Sequence, residues 1–221
     1  MAGVFITFEG IDGCGKSTQL RLLASELRLR GMEVVTTREP GGTPLGRKLR
    51  AALLDVQEEV DPLAELLVFA ADRTQHVRKH LLPALSGNRV VLSDRYADAT
   101  VAYQGGGRGF DPTLVKQIVD LATGGLKPDL TLLFDLSVSE SAVRTRRRVA
   151  QKHSDRLDSE NQDFHERVRQ AYLEIARAEP DRVRPIDARH SVQETHSAVK
   201  KLVLPFLEER GLMAKGQRAK S

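Results

Sequence analysis

The chain has 221 residues, 40% of them hydrophobic and 29% charged, with a formal net charge of +4 at pH 7 and a single cysteine. That length suits one ordinary α/β domain with a buried core; one cysteine excludes an internal disulfide, and so mild a basic excess fits a small anionic substrate better than nucleic acid. No apolar run approaches the length of a membrane span, and residues 1–4 enter a strand without a basic, cleavable leader, so the expected setting is reducing and cytoplasmic.

Residues 4–8 are an apolar run that opens onto a glycine-rich turn, and residues 16–29 follow with leucines near helical spacing, stopped by Gly31. Residues 33–37 read as a second strand, ended by the turn Arg38-Glu39-Pro40-Gly41-Gly42. Apolar residues recur at helical period over 45–54 and again from 61 to about 82, with Pro44 and Pro62 at first-turn positions, which predicts a helical insert. Residues 89–93 and 130–134 read as buried strands, followed by Asp94-Arg95-Tyr96 and Asp135. Residues 139–149 and 163–178 are helical on either side of a polar stretch. Residues 182–186 make a fifth strand, and 192 to about 209 a last amphipathic helix. Gly105-Gly106-Gly107-Arg108-Gly109 reads as a flexible loop; His76 and His80, spaced i,i+4 without a third ligand, read as an exposed helix face. Strands alternating with helices predict an α/β fold: a five-stranded parallel sheet covered on both faces, in one domain over residues 1–211. Residues 212–221 are small, polar and basic, and are expected to form a disordered tail.

Gly10, Gly15, Lys16 and Ser17 fit the phosphate-loop pattern G-x-x-x-x-G-K-[ST], between a buried strand and a helix whose N-H groups face an anion. This predicts a three-layer P-loop NTPase fold. Gly10, Gly13 and Gly15 let the backbone curl around phosphate, Lys16 brings a point charge to the β- and γ-phosphates, and the Ser17 hydroxyl can ligate Mg²⁺. Ile11, Asp12, Cys14 and Thr18 complete the ATP-binding stretch, Cys14 needing only to be small. The loop alone leaves the phosphate's destination open, because the same cradle serves switches, motors and small-molecule kinases.

Further stretches narrow this. Residues 5–18, Thr37-Arg38-Glu39-Pro40-Gly41-Gly42-Thr43, Phe69-Ala70-Ala71-Asp72-Arg73, Asp94-Arg95-Tyr96, Ala102-Tyr103-Gln104-Gly105-Gly106 and Lys127-Pro128-Asp129-Leu130 together resemble the bacterial thymidylate kinase family of P-loop nucleoside monophosphate kinases, from residue 3 to about 205. The resemblance implies transfer of the γ-phosphoryl of ATP, with Mg²⁺, to dTMP, giving dTDP and ADP for dTTP synthesis. It also implies a homodimer that engages neither nucleic acid nor membrane. The alternatives are a kinase for another nucleotide or deoxynucleoside, and a P-loop ATPase acting on nucleic acid. The resemblance further implies that Arg38 and Arg95 hold the acceptor's phosphate, Phe69 stacks on thymine and Arg73 bonds its edge. Thr100 lies near the base, Tyr103 beside ribose C2′, Gln104 in the same site, and Asp12 at the 3′-hydroxyl. Glu9 is a weaker site candidate. Asp94 either holds Mg²⁺ through water or orients Arg95.

A phosphate monoester with a second pKa of about 6 is mostly ionised at neutral pH, so its attack needs no strong protein base. Catalysis then rests on in-line positioning and neutralisation of charge. The loop's variable positions, Ile11, Asp12, Gly13 and Cys14, include no arginine. The run Arg144-Thr145-Arg146-Arg147-Arg148, followed by Asp155-Arg156, matches the lid of the bacterial family, about residues 144–162. Arg144 and Arg148 share a helix face; the resemblance makes Arg148 the catalytic lid residue with Arg144 beside it, and Arg156 a further phosphate contact. Arg146 and Arg147 read as solvated, and Arg108 as a weak candidate. Arg148→Ala is expected to lower kcat at least about a hundredfold with a modest change in acceptor KM, measured by steady-state kinetics; near-normal turnover would move the role to another arginine.

Overall fold

The computed structural model describes residues 3–56, 59–149 and 156–212. The expected tail beyond Leu212 and most of the polar stretch before Arg156 lie outside the described residues.

Five strands, β1 (Val4–Glu9), β2 (Val34–Arg38), β3 (Val90–Asp94), β4 (Leu130–Asp135) and β5 (Val183–Asp187), form one parallel sheet in the order β2-β3-β1-β4-β5. The helices are α1 (Lys16–Leu29), α2 (Pro44–Leu54), α3 (Pro62–His76), α4 (Leu82–Ser86), α5 (Ala97–Thr100), α6 (Pro112–Thr123), α7 (Val138–Val149), α8 (Gln162–Ala178) and α9 (Val192–Glu209). The elements expected from periodicity are present within a residue or two at their ends, except that the helix expected from 61 to about 82 ends at His76 and continues through a π-helical turn, Val77–Leu81, into α4.

Strand alternation builds the three layers. Val4, Ile6 and Phe8 of β1, Val90 and Leu92 of β3, and Leu130, Leu132 and Phe134 of β4 pack with Leu20, Leu23 and Leu27 of α1 and Val199, Val203 and Leu207 of α9. The intervening residues face the other way. Phe5 and Val91 meet Val77 and Leu81 beyond α3, and Leu133 and Val183 meet Phe164, Val168 and Tyr172 of α8. Helix starts follow local chemistry. Thr43, Asp61 and Asp111 each accept backbone N-H bonds ahead of Pro44, Pro62 and Pro112, whose missing donors cost nothing in a first turn. Ser191 and Glu194 close a capping box on α9.

Two expectations change. Residues Val101–Gly107 form a π-helical turn that continues α5, and the glycines there serve close packing rather than flexibility. A Cβ on Gly106 would stand 2.6 Å from Ala171 Cβ and 3.1 Å from the Arg167 carbonyl; one on Gly107 would meet the Phe164 ring at 2.6 Å. Absence of side chains lets α8 lie directly on this turn. His76 is fully buried rather than exposed, because its ring is taken up in a polar network with Glu39 and Thr37, while His80 stacks on it with centroids 5.5 Å apart.

All five strands point the same way, so the loops after β1, β2 and β3 gather at one sheet edge, where the strand order switches direction about β1. That edge carries the phosphate loop, Arg38 and Arg95.

Candidate active site

The phosphate loop leads from β1 into α1, with Gly15 at the N-cap in a left-handed conformation (φ 96°) that a side chain would strain. Gly10 (φ 133°) passes so close to β4 that a Cβ would stand 2.5 Å from the Phe134 carbonyl. Lys16 is buried; its ammonium donates to the Gly10 and Ile11 carbonyls at 2.9 Å each and reaches Cys14 Sγ at 3.6 Å. The loop's own acceptors thus hold the charge at the cradle's centre. Ser17 donates its hydroxyl to Asp94 Oδ2, which sets a hydroxyl and a carboxylate side by side at the loop's mouth. Such hard oxygen ligands suit Mg²⁺. Asp94 makes no side-chain hydrogen bond to Arg95, whose guanidinium is held by Asp12, Tyr103 and Tyr172 instead.

α7 covers the loop from the β4 side. Ser141 donates to the Asp12 carbonyl at 2.5 Å, Arg144 Cβ comes within 3.3 Å of where a Gly13 Cβ would be, and Arg144 Nη1 donates to the Ala188 carbonyl after β5 at 2.9 Å. Arg148 lies one turn further along α7, its side chain outside those described.

Across from the loop is a cleft of about 620 Å³, counted with its open mouth. Phe69, Arg73, Thr100, Tyr103 and Gln104 line it, as does Asp12; the sequence placed all six here, and Arg95 completes the group. Phe69 and Arg73 share one face of α3, and Thr100 and Gln104 sit about a turn apart opposite them. Arg73 is buried, and its guanidinium is fixed on three sides. Nε donates to Glu39 Oε2 at 2.7 Å, Nη1 to Thr100 Oγ1 at 2.7 Å, and Nη2 to the Tyr96 carbonyl at 2.9 Å. Glu39 accepts a further bond of 2.7 Å from His76 Nδ1. Burial alone would raise the Glu39 carboxyl; Arg73 and His76 outweigh that and hold it below the usual range.

Arg95 stands at the junction of loop and cleft with a positive φ of 70°, unusual for a side chain of its size. Its backbone N-H donates to the Phe8 carbonyl at 3.0 Å; Nη2 donates to both Asp12 oxygens and to Tyr103 Oη at 3.0 Å, and Nη1 to Tyr172 Oη at 3.2 Å. The Tyr103 hydroxyl donates in turn to Asp12 at 3.1 Å. Arg38 is exposed at the end of β2. Arg156 is placed differently from a donor-phosphate contact: it donates to the Leu53 carbonyl at 3.2 Å and to the buried carboxylate of Glu65, on the acceptor side. Arg108 pairs with Glu65 and Glu160.

Sequence reading missed several wall residues: Arg50 and Leu54 of α2, Asp72, Leu157, and Tyr172 behind Arg95. Glu65 was available from spacing, since Glu65, Phe69 and Arg73 form one i,i+4 stripe on α3. Tyr172 carried no such signal, because only the packing of α8 brings it near β1.

Glu9 lies behind this group, wholly buried. It accepts from the Tyr96 N-H and the Tyr172 hydroxyl at 2.7 Å each. Burial, helped by the Asp98 carboxylate and opposed by Arg95, pushes its carboxyl from 4.5 up to about 8.

A parallel sheet in this order, with a Gly-Lys-Ser loop heading α1 and a second polar cleft facing it, defines a P-loop NTPase that presents a separate acceptor site to its phosphate loop. The thymidylate kinase family model matches residues 8–199. Thymidylate kinases of Geotalea uraniireducens and Gloeobacter violaceus are 48% and 47% identical over 211 and 208 residues, covering 94% and 93% of this chain and 99% and 97% of theirs. The crystal structure of a thymidylate kinase from Ehrlichia chaffeensis superimposes with a TM-score of 0.76 at 36% identity, covering 92% of this chain and 100% of that one. The chain belongs to the thymidylate kinase family.

Above about pH 4.5 the unfolded chain gives up the Glu9 proton, whereas the folded chain keeps it until about pH 8, so folding binds protons in that window and rising pH costs stability. Urea denaturation across this range should show wild type losing stability relative to Glu9→Gln as pH rises; parallel curves would refute the buried, protonated carboxyl.

Proposed function

We propose that the chain transfers the γ-phosphoryl group of ATP to the 5′-monophosphate of thymidine, giving dTDP and ADP, in the cytoplasm and through one domain spanning residues 1–211. The observation that carries this reading is the cleft itself. An aromatic face (Phe69) and a fixed set of polar groups (Arg73, Thr100, Gln104) stand at one end. The Asp12-Arg95-Tyr103 cluster stands at the other, beside the phosphate loop. A flat base with polar edges suits the first end, and a sugar phosphate the second.

The residues divide the work between two anions. Lys16 turns its ammonium from the Gly10 and Ile11 carbonyls toward the β- and γ-phosphates of ATP, whose remaining oxygens meet the N-H groups of Gly13, Gly15 and Ser17. Arg95 and Arg38 hold the acceptor phosphate in line, Arg95 from a guanidinium that Asp12 and two tyrosines already orient. Tyr103 crowds the ribose 2′ position and Asp12 takes the 3′-hydroxyl. Ser17 and Asp94 would hold Mg²⁺, directly or through water. When bound, it neutralises charge on the β- and γ-phosphates. Arg144 and Arg148 of α7 add positive charge beside the transferring group, the loop having no arginine of its own. The acceptor phosphate arrives ionised, so no residue need take its proton.

The active species is a homodimer. Leu63 and Leu67 of α3 and Leu114 and Leu121 of α6 are exposed, Leu121 by 81%, on two helices that pack on each other. Two copies of such a face bury each other.

ADP release from ATP and Mg²⁺ should be measured with dTMP, dUMP, UMP, dCMP, AMP and thymidine as acceptors, and with single-stranded DNA. Strong preference for dTMP is the expected result, and turnover stimulated only by DNA would overturn the reading. Light scattering should give twice the chain mass for wild type and one chain mass for Leu121→Glu; a monomeric wild type would refute the dimer.

A further inference from the structure

Glu65 is a buried carboxylate with no place in the phosphoryl transfer described above. Its side chain is fully enclosed on α3, one turn before Phe69. Oε1 accepts from Gln104 Nε2 at 3.0 Å and from Arg108 Nε at 3.2 Å; Oε2 accepts from Arg108 Nη2 at 3.2 Å and from Arg156 Nη2. Both arginines are anchored elsewhere as well. Arg108 pairs with Glu160 at 2.6 Å and lies over the Phe164 ring, while Arg156 donates to the Leu53 carbonyl. The carboxylate is therefore held by three side chains at once, two from the π-helical turn and its cap and one from the turn beginning at Arg156. Burial works to raise its pKa, but hydrogen bonds from Arg108, Arg156 and Gln104 outweigh burial and keep it ionised.

An ionised carboxylate only accepts hydrogen bonds. Gln104 must therefore give Glu65 its NH₂ group, and its carbonyl oxygen is turned the other way. Among the described residues that oxygen has no hydrogen-bond partner, and it is not sealed in the interior: it belongs to a residue lining the cleft, beside Thr100 and Arg73. Glu65 thus leaves the carbonyl oxygen as the other end of the Gln104 amide, on a wall that Arg73 and Thr100 also line. Thymine and uracil carry a ring N3-H between two carbonyls, a donor flanked by acceptors. Cytosine carries an unprotonated N3 beside an amino group, the reverse pattern.

We propose that Glu65 is a specificity-determining positioning residue: by fixing which end of the Gln104 amide faces the cleft, it selects pyrimidine 5′-monophosphates with an N-H at ring position 3 over cytosine nucleotides. This rests on the reading of the cleft as the dTMP site. A wall built around a substrate N-H rejects analogues that lack it, because the wall's acceptor is then left facing another acceptor.

Glu65→Gln replaces the acceptor-only carboxylate with a group that both donates and accepts, so the Gln104 amide can turn over. The ratio of kcat/KM for dTMP to that for dCMP should then fall at least about tenfold relative to wild type. Damage to packing alone lowers both values together and leaves the ratio in place, and an unchanged ratio overturns the proposal. If Glu65→Gln fails to fold because Arg108 and Arg156 lose their counter-charge, Gln104→Met carries the test. It keeps Glu65 with both arginines and removes the amide, and the ratio must fall in the same direction. A wild type without preference for dTMP over dCMP removes the reading of the cleft, and this proposal with it; a clear wild-type preference that neither variant moves removes only the role of Glu65.

Discussion

A site that brings two polyanions together needs concentrated positive charge, and a folded chain cannot bury that charge unless it is matched. Four arginines around the cleft are accordingly set against carboxylates: Arg73 on Glu39, Arg95 on Asp12, Arg108 and Arg156 on Glu65. Removing either member of such a pair leaves an uncompensated charge in a poorly hydrated place, typically costing about 3–5 kcal/mol. Glu39 and Glu65 therefore bear on function through the arginines they hold, and Asp12 does so while also facing the cleft. They fix each guanidinium before an acceptor arrives, so that little orientation is left to be lost on binding.

The same economy appears in the backbone. Gly10 and Gly15 adopt positive φ angles that curl β1 into the cradle, and the bare surfaces of Gly106 and Gly107 let α8 settle on the π-turn that carries Tyr103 and Gln104. Contact between these elements brings Tyr172 of α8 to Arg95 and to Glu9 of β1, joining three distant parts of the chain behind one guanidinium. Arg95 accepts a left-handed φ in return for its place at the strand end, with the Phe8 carbonyl and Asp12 holding it there.

Much of this was legible in the chain. Alternation and helical periodicity located every strand and the principal helices, because burial against a two-faced sheet leaves a regular apolar pattern. Gly10, Gly15, Lys16 and Ser17 announced the phosphate loop, and family motifs gathered Phe69, Arg73, Arg95, Thr100, Tyr103 and Gln104 to one wall. Less local features escaped. Gly105, Gly106 and Gly107 look like a loop in sequence, since composition does not distinguish a glycine that frees the chain from one that admits a neighbouring helix. His76 looked exposed beside His80 because nothing near it in sequence reveals Glu39 and Thr37, which come from the turn after β2 and from β2 itself. The match to the family's lid set Arg156 at phosphate with Arg144 and Arg148, yet Arg156 is held by Glu65, some ninety positions earlier.

By itself the sequence determined the order of strands and helices and the phosphate cradle, which depend on short-range pattern, and its resemblance to a family pointed to the groups expected to meet a base, a sugar and a phosphate. Only the tertiary structure decided which carboxylate restrains which arginine, that Asp94 faces Ser17 rather than Arg95, and which way the Gln104 amide is turned. The physical reason is that hydrogen bonds and ion pairs reach only about 3 Å. Partners that far apart in the chain are chosen by the packing of the sheet and its helices, and local sequence carries no record of that choice.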